Sequence, residues 1–153
     1  MKKPLSAKVY LGQLALIDEQ INQDIERLEE LKQSARSTGS FDYSRERVQT
    51  SPIGDKLCSD VSRYVDLDTQ INAEIDRFVD AKEQIIREIR GLHHADYIKV
   101  LYKVYVQYKS IKVTAQEIGK SCSHTSVIHN RALSAFEEQY KNLSYLTLSN
   151  DFT

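Results

Sequence analysis

Six apolar residues spaced by sevens, Leu57, Tyr64, Ile71, Phe78, Ile85 and Leu92, constrain this chain more than any other feature, and Val61, Ile75 and Ile89 fill the companion heptad position. Five consecutive heptads put an apolar stripe along one side of a long helix, and a second helix has to cover it. A candidate partner lies upstream, where Leu14, Ile21, Leu28 and Ala35 also repeat every seven residues. Ile17, Ile25 and Leu31 stand between them, and the remaining positions are Asp, Glu, Gln, Lys and Arg. The spacing predicts helices over about 6–36 and 53–92, roughly 45 and 60 Å long at ~1.5 Å per residue. Asp68 and Lys82 interrupt the second stripe, where Leu67 and Ile86 or Val79 substitute in part.

Between the two patterns, Arg36 to Pro52 is polar and Ser-rich and reads as a loop over about 37–52. Ser51-Pro52 closes it in the order a helix start prefers, Ser as N-cap and Pro at the first helical position. Similar helix lengths and a loop of this size suit an antiparallel hairpin, although pairing between two chains, as a homodimer through the coiled coil, satisfies the same pattern. Five Gly and two Pro in 153 residues supply too few turns for a sandwich or barrel. The expected fold class is therefore all-α: a long antiparallel coiled-coil helical hairpin over residues 1–94, a helix-turn-helix bundle over 95–141 and a tail over 142–153. No apolar run reaches the roughly 20 residues that span a bilayer and no signal core follows Met1, so a soluble cytoplasmic protein, with no membrane partner, is expected. Cys58 and Cys122 are expected to be small apolar fillers of helices, not a disulfide.

Net charge is −1, but it is unevenly spread. Residues 1–94 carry 14 Lys and Arg against 17 Asp and Glu, and residues 95–153 carry 7 against 5, so the halves are −3 and +2. The basic part holds the more informative pattern. From Asp96 to Gln107 polar residues recur at three to four, with Tyr97, Leu101, Val104, Tyr105 and Tyr108 on another face, which predicts a helix. In the stretch Val113 to Leu133, Ala115, Gly119 and Ile128 fall at the spacing of a helix-turn-helix. Ala115 is small where two helices cross, Gly119 ends the first by a positive φ, and Ile118 and Ile128 fill the wedge. Ser121 or Ser123 caps a second helix running to about Tyr140.

That second helix turns Thr125, Ile128, Ala132, Ala135 and Phe136 inward. Its other face presents Ser123, His124, Ser126, Val127, Asn130 and Arg131, beside Ser121. At the front of a recognition helix such residues meet base edges: Asn pairs bidentately with adenine, Arg with guanine and Ser with either. Lys109, Lys112 and Lys120 are the candidate phosphate contacts. The tyrosines Tyr97, Tyr102, Tyr105 and Tyr108 are expected to pack and not to stack on bases, since no Arg cluster interleaves them.

These residues resemble the phage ArpU/RinA-like late transcriptional regulators, a family with a helical hairpin followed by a helix-turn-helix similar to region four of sigma factors. The resemblance covers roughly residues 10–138. It is carried by Leu28-Glu-Glu-Leu-Lys-Gln-Ser-Ala-Arg-Ser, by Val48-Gln-Thr-Ser-Pro52 with Asp55, by Ile71 through Ile89 with its Glu-Ile-Asp centre, and by Ala115, Gly119-Lys-Ser121, Ile128-His129 and Ala132-Leu133. It implies double-stranded DNA and host RNA polymerase as partners, activation of late genes, and no catalysis. Tyr108 to Val113 lacks the Trp that relatives often carry there. Lys120 and Thr125 stand where apolar residues are usual, and with the modest charge they keep a second reading open: a helical module that binds a host protein and no DNA.

Neither catalytic nor metal chemistry is expected. His124 and His129 are five apart and point away from each other on a helix, so with Cys122, His93 and His94 they make a poor zinc set. There is no Gly-rich phosphate loop and no nucleophile with a base in a recognisable motif, and no cofactor is expected.

Overall fold

The computed structural model describes residues 3–37 and 52–146, with side chains undescribed at 37 and 52–57. The expected loop, its Ser51 cap, the Leu57 side chain and residues 147–153 of the tail lie outside that description. Among the described residues five α-helices follow one another: α1 Ala7–Ser37, α2 Pro52–Arg90, α3 Ala95–Leu101, α4 Ile111–Ile118 and α5 Cys122–Gln139, with a π-helical turn Tyr102–Val106 after α3. Every regular element among the described residues is helical, as the scarcity of Gly and Pro requires. No helix among them is long and apolar enough to cross a membrane.

Packing divides the chain within the long helices and not at residue 94, where the order of patterns along the sequence puts the boundary. One compact unit takes in residues up to Asp18 and from Arg77 onward, and the other is Glu19–Asp76. The reason is the second role of the helix ends: Tyr10, Leu11, Leu14, Ile85 and Ile89 share a core with Leu101, Tyr105, Ala132 and Phe136.

In the Glu19–Asp76 unit, Leu28 packs with Leu67 and Ile71, flanked by Leu31, Tyr64 and Ile75. Ala35 and Arg36, further along α1, border a hollow with Val61 and Tyr64, earlier in α2. Rising numbers on one helix meet falling numbers on the other, so the two segments run antiparallel within one chain. The row Leu14, Ile21, Leu28 and Ala35 is buried throughout. Ile25 is 44% exposed and Val61 36%, because a straight helix of 3.6 residues per turn drifts off a strict seven-residue repeat. The same drift answers the two interruptions: Leu67 turns inward beside exposed Asp68, and Ala81 beside Lys82.

In the other unit, groups far apart in sequence satisfy each other. The first helical N–H of α1, at Ala7, donates to the Glu137 carboxylate at 2.8 Å, an anion where the helix dipole favours one. Leu5 N–H donates to Leu143 O at 3.0 Å. Buried Gln13 accepts from Leu146 N–H at 2.7 Å and donates to Tyr10 O at 3.1 Å. Phe136, fully buried, lies between Tyr10 and Tyr140, with ring centroids 6.0 and 4.7 Å away.

The helix expected over 96–107 is regular only to Leu101. His94 starts it, accepting from Tyr97 N–H and stacking on the Tyr97 ring at 3.8 Å. The π turn then widens the spiral, with Gln107 N–H donating to Tyr102 O, and brings both Tyr105 and Val106 inward. Tyr108 ends it at φ 56°, in the left-handed region that a bulky side chain seldom adopts.

Two substitutions test this packing. A Cβ on Gly91 would stand 2.5 Å from the Tyr140 hydroxyl, which donates to Glu88 O at 2.9 Å, and 3.2 Å from that same carbonyl. Gly91→Ala is expected to cost about 1–3 kcal/mol in urea denaturation, with part recovered by adding Tyr140→Phe. Among the described residues the fully buried hydroxyls of Thr114 and Thr125 have no hydrogen-bond partner. Thr125→Val removes that desolvation penalty and is expected to stabilise by roughly 1 kcal/mol, a gain the same denaturation curve reads.

Candidate nucleic-acid interface

The α4–α5 pair is built from its caps inward. Ser110 starts α4 by accepting from Val113 N–H at 3.2 Å. Gly119 ends it at φ 69°, ψ 33°, the left-handed conformation that the sequence assigns to this position. Lys120 N–H then closes back onto Ala115 O at 3.0 Å. Two residues after the glycine, Ser121 caps α5 by accepting from His124 N–H at 3.1 Å. Of the two serines open in the sequence, Ser121 is therefore the cap. Its side-chain oxygen is engaged by the helix end, while the residue itself stays exposed.

Inside the pair, Thr114 and Ala115 of α4 and Thr125, Ile128, Ala132 and Phe136 of α5 are buried. Ala135 is half-buried, as is Ile118. With that row inside, Ser123, His124, Val127, Asn130 and Arg131 are exposed on the other side of α5, and Ser126 is half-buried at its margin. Ser123, Val127 and Asn130 fall at i, i+4 and i+7, and so share one helix face. Lys112 is exposed on α4, and Lys120 is half-buried in the turn. The expected reading residues thus share a face of one helix.

Lys109, a candidate phosphate contact, is paired with an acid. Its ammonium lies 2.6 and 2.9 Å from the two carboxylate oxygens of Glu117, and Lys103 approaches the same carboxylate at 2.7 Å. Hydrogen bonds from Lys103 and then Lys109 hold the Glu117 carboxyl below the usual carboxylate range. Lys112, Lys120 and Arg131 have no ion pair among the described residues. Sequence reasoning missed Glu117 and Lys103, because residues 14 apart, one of them inside an unforeseen π turn, carry no local signal of meeting.

His129 sits on the flank of this face. Its ring stacks on Tyr105 with centroids 5.6 Å apart, and its Nε2 is 2.9 Å from the Tyr105 hydroxyl. Burial holds the imidazole below its ordinary value, a hydrogen bond with Asn130 opposes that, and the charge of Lys8 adds to the lowering. Burial also pushes the Tyr105 hydroxyl up to about 12. Tyr97 and Tyr102 are half-buried and Tyr105 buried, whereas Tyr108 is exposed with its hydroxyl donating to Leu14 O at 3.3 Å.

The cysteines correct an expectation: Cys58 and Cys122 are both exposed thiols and not fillers. Cys122 is the first residue of α5, one turn before the inner row begins at Thr125. No group of three or more His, Cys, Asp or Glu among the described residues comes together as a metal site. In the same unit, Tyr10, Gln84, Glu88 and Tyr140 border a cleft of about 610 Å³ with residues 141–146. The Tyr10 hydroxyl donates to Glu88 at 2.8 Å and accepts from Gln84 at 3.3 Å, so these groups answer one another. No family model, curated protein or solved structure matches the chain.

The His129 geometry fixes the sign of a pH effect. Because the folded state depresses this pKa from 6.5, the unfolded chain takes up the proton first as pH falls. The contribution of the neutral imidazole is complete above 6.5 and is lost as pH drops through the range just below it. His129→Phe keeps the stacked ring and is expected to flatten the decline in folding stability between about pH 7 and 5, measured by urea denaturation at closely spaced pH values.

Proposed function

We propose that this chain is a sequence-specific duplex-DNA-binding regulator that reads the major groove with the exposed face of α5. One observation carries the reading: two helices joined by a left-handed glycine and a serine cap bury one row of α5 and leave Ser123, His124, Val127, Asn130 and Arg131 outward. Asn130 and Arg131 supply bidentate donors and acceptors suited to adenine and guanine, and Ser123 suits either base. Lys112 and Lys120 are the cations free to meet phosphates, and Ser121, Ser126 and Val127 complete the approach. One recognition helix covers only a few base pairs, so useful specificity calls for a homodimer or for polymerase bound alongside. The resemblance to phage late regulators supplies the biological setting of this proposal: promoter DNA and host RNA polymerase in a bacterial cytoplasm.

A second reading, a helical module that binds a host protein without DNA, is favoured by one specific observation. The Glu117 carboxylate occupies two of the seven basic side chains of the +2 segment. Selection of duplexes from a random library at ~0.15 M salt separates the two readings. The expected outcome is an enriched motif that disappears in the Asn130→Ala, Arg131→Ala double variant, with each lost bidentate contact costing about 1–3 kcal/mol of discrimination. No enrichment from protein with native helix content would favour the protein-binding module.

A further inference from the structure

We infer that Glu117 occupies the anion site of a two-lysine phosphate clamp formed by Lys103 and Lys109, so that it masks both cations from DNA. The inference rests on the DNA-binding reading and goes beyond it by naming an acid that weakens binding. The geometry supplies the clamp. One carboxylate brings two like-charged ammoniums within 2.7 and 2.6 Å of its oxygens, an arrangement that two lysines alone would resist by repulsion. A phosphate presents the same chemistry as the carboxylate, with charged oxygens able to accept from both ammoniums at such distances.

All three side chains are partly exposed, at 24–34%, so the cluster faces solvent where a polyanion can reach it. Lys103 comes from the π turn, Lys109 from just beyond it and Glu117 from α4, one residue ahead of the end of that helix. The clamp therefore adjoins the α4–α5 turn. While Glu117 holds them, Lys103 and Lys109 release no counterions on binding and add nothing to its salt dependence, and a phosphate gains them only by displacing the acid.

The test is the salt dependence of binding to a labelled random-sequence duplex of about 20 base pairs, for the full chain and for Glu117→Gln. The variant is expected to bind roughly three- to tenfold more tightly at ~0.15 M salt, and its slope of log K against log salt should steepen by about 1–2. Glu138→Gln, an exposed acid of α5 with no ion pair among the described residues, makes the same change in net charge and should leave the slope unaltered. Lys109→Met should leave the slope unchanged in the otherwise unaltered protein but flatten it by about 1 in the Glu117→Gln background. The first of those two comparisons needs no acid variant to fold.

Equal slopes for the full chain and Glu117→Gln, or a flattened slope for Lys109→Met alone, would overturn the masking and leave the DNA-binding reading standing. Absence of duplex binding by both the full chain and Glu117→Gln would remove the reading and the inference together.

Discussion

Enclosure of Phe136 between Tyr10 and Tyr140 is the contact on which the rest of the first unit depends. It draws the α5 inner row against the start of α1 and the end of α2, and every other orientation in the unit follows. Thr125, Ile128 and Ala132 lie inward because they share a face with Phe136. Ser123, Asn130 and Arg131 lie outward for the same reason. A fully buried aromatic ring also removes a large apolar area from water, which is the main favourable term available to a chain with 41% hydrophobic residues and no Trp. The candidate reading face is thus a by-product of core packing: burying one side of an 18-residue helix determines what its other side presents.

Charge is arranged locally more than globally. A +2 segment would make a weak anion-binding surface even if every cation were available, and the Glu117 cluster takes two of them out of simple circulation. The clustering has structural logic apart from any ligand. It ties the segment after the π turn to α4 with solvated ion pairs, which solvent screens to little net stability. Such a cluster is cheap to rearrange, unlike the Tyr10–Glu88 and Gln13 hydrogen bonds beside the core, where an unpaired group would carry a full desolvation cost.

Much of this architecture was legible in the sequence, and the boundary of legibility is physical. The heptad rows gave both long helices nearly to their observed ends, because apolar periodicity is a property of each helix taken alone. Gly119 and Ser121 announced the turn between α4 and α5, since a left-handed residue and a cap are local requirements with few solutions. The outer face of α5 followed from its inner row. The π turn did not, because Val104, Tyr105 and Val106 satisfy a helical period and a shifted one equally well, and only burial of two adjacent residues decides between them. Glu137 at the start of α1 and Glu117 between two lysines depend on register across distant segments, which no local pattern records. The cysteines misled because average burial of a residue type says nothing about which side of its helix a particular residue occupies.

Hydrogen bonds from Leu5 to Leu143, from Ala7 to Glu137 and from Leu146 to Gln13 join residues near the two ends of the sequence. During synthesis on the ribosome, the beginning of α1 emerges long before the groups that complete its surroundings. The Glu19–Asp76 pairing has all its contacts within a short span and is free to form early. The other unit must wait for residues 137 to 146, and its distant closures carry the loop entropy that slows folding in proteins of high contact order. Tyr10, Leu11 and Leu14 are in the meantime apolar surface without a finished core, a stretch in need of protection until Phe136 and Leu143 arrive.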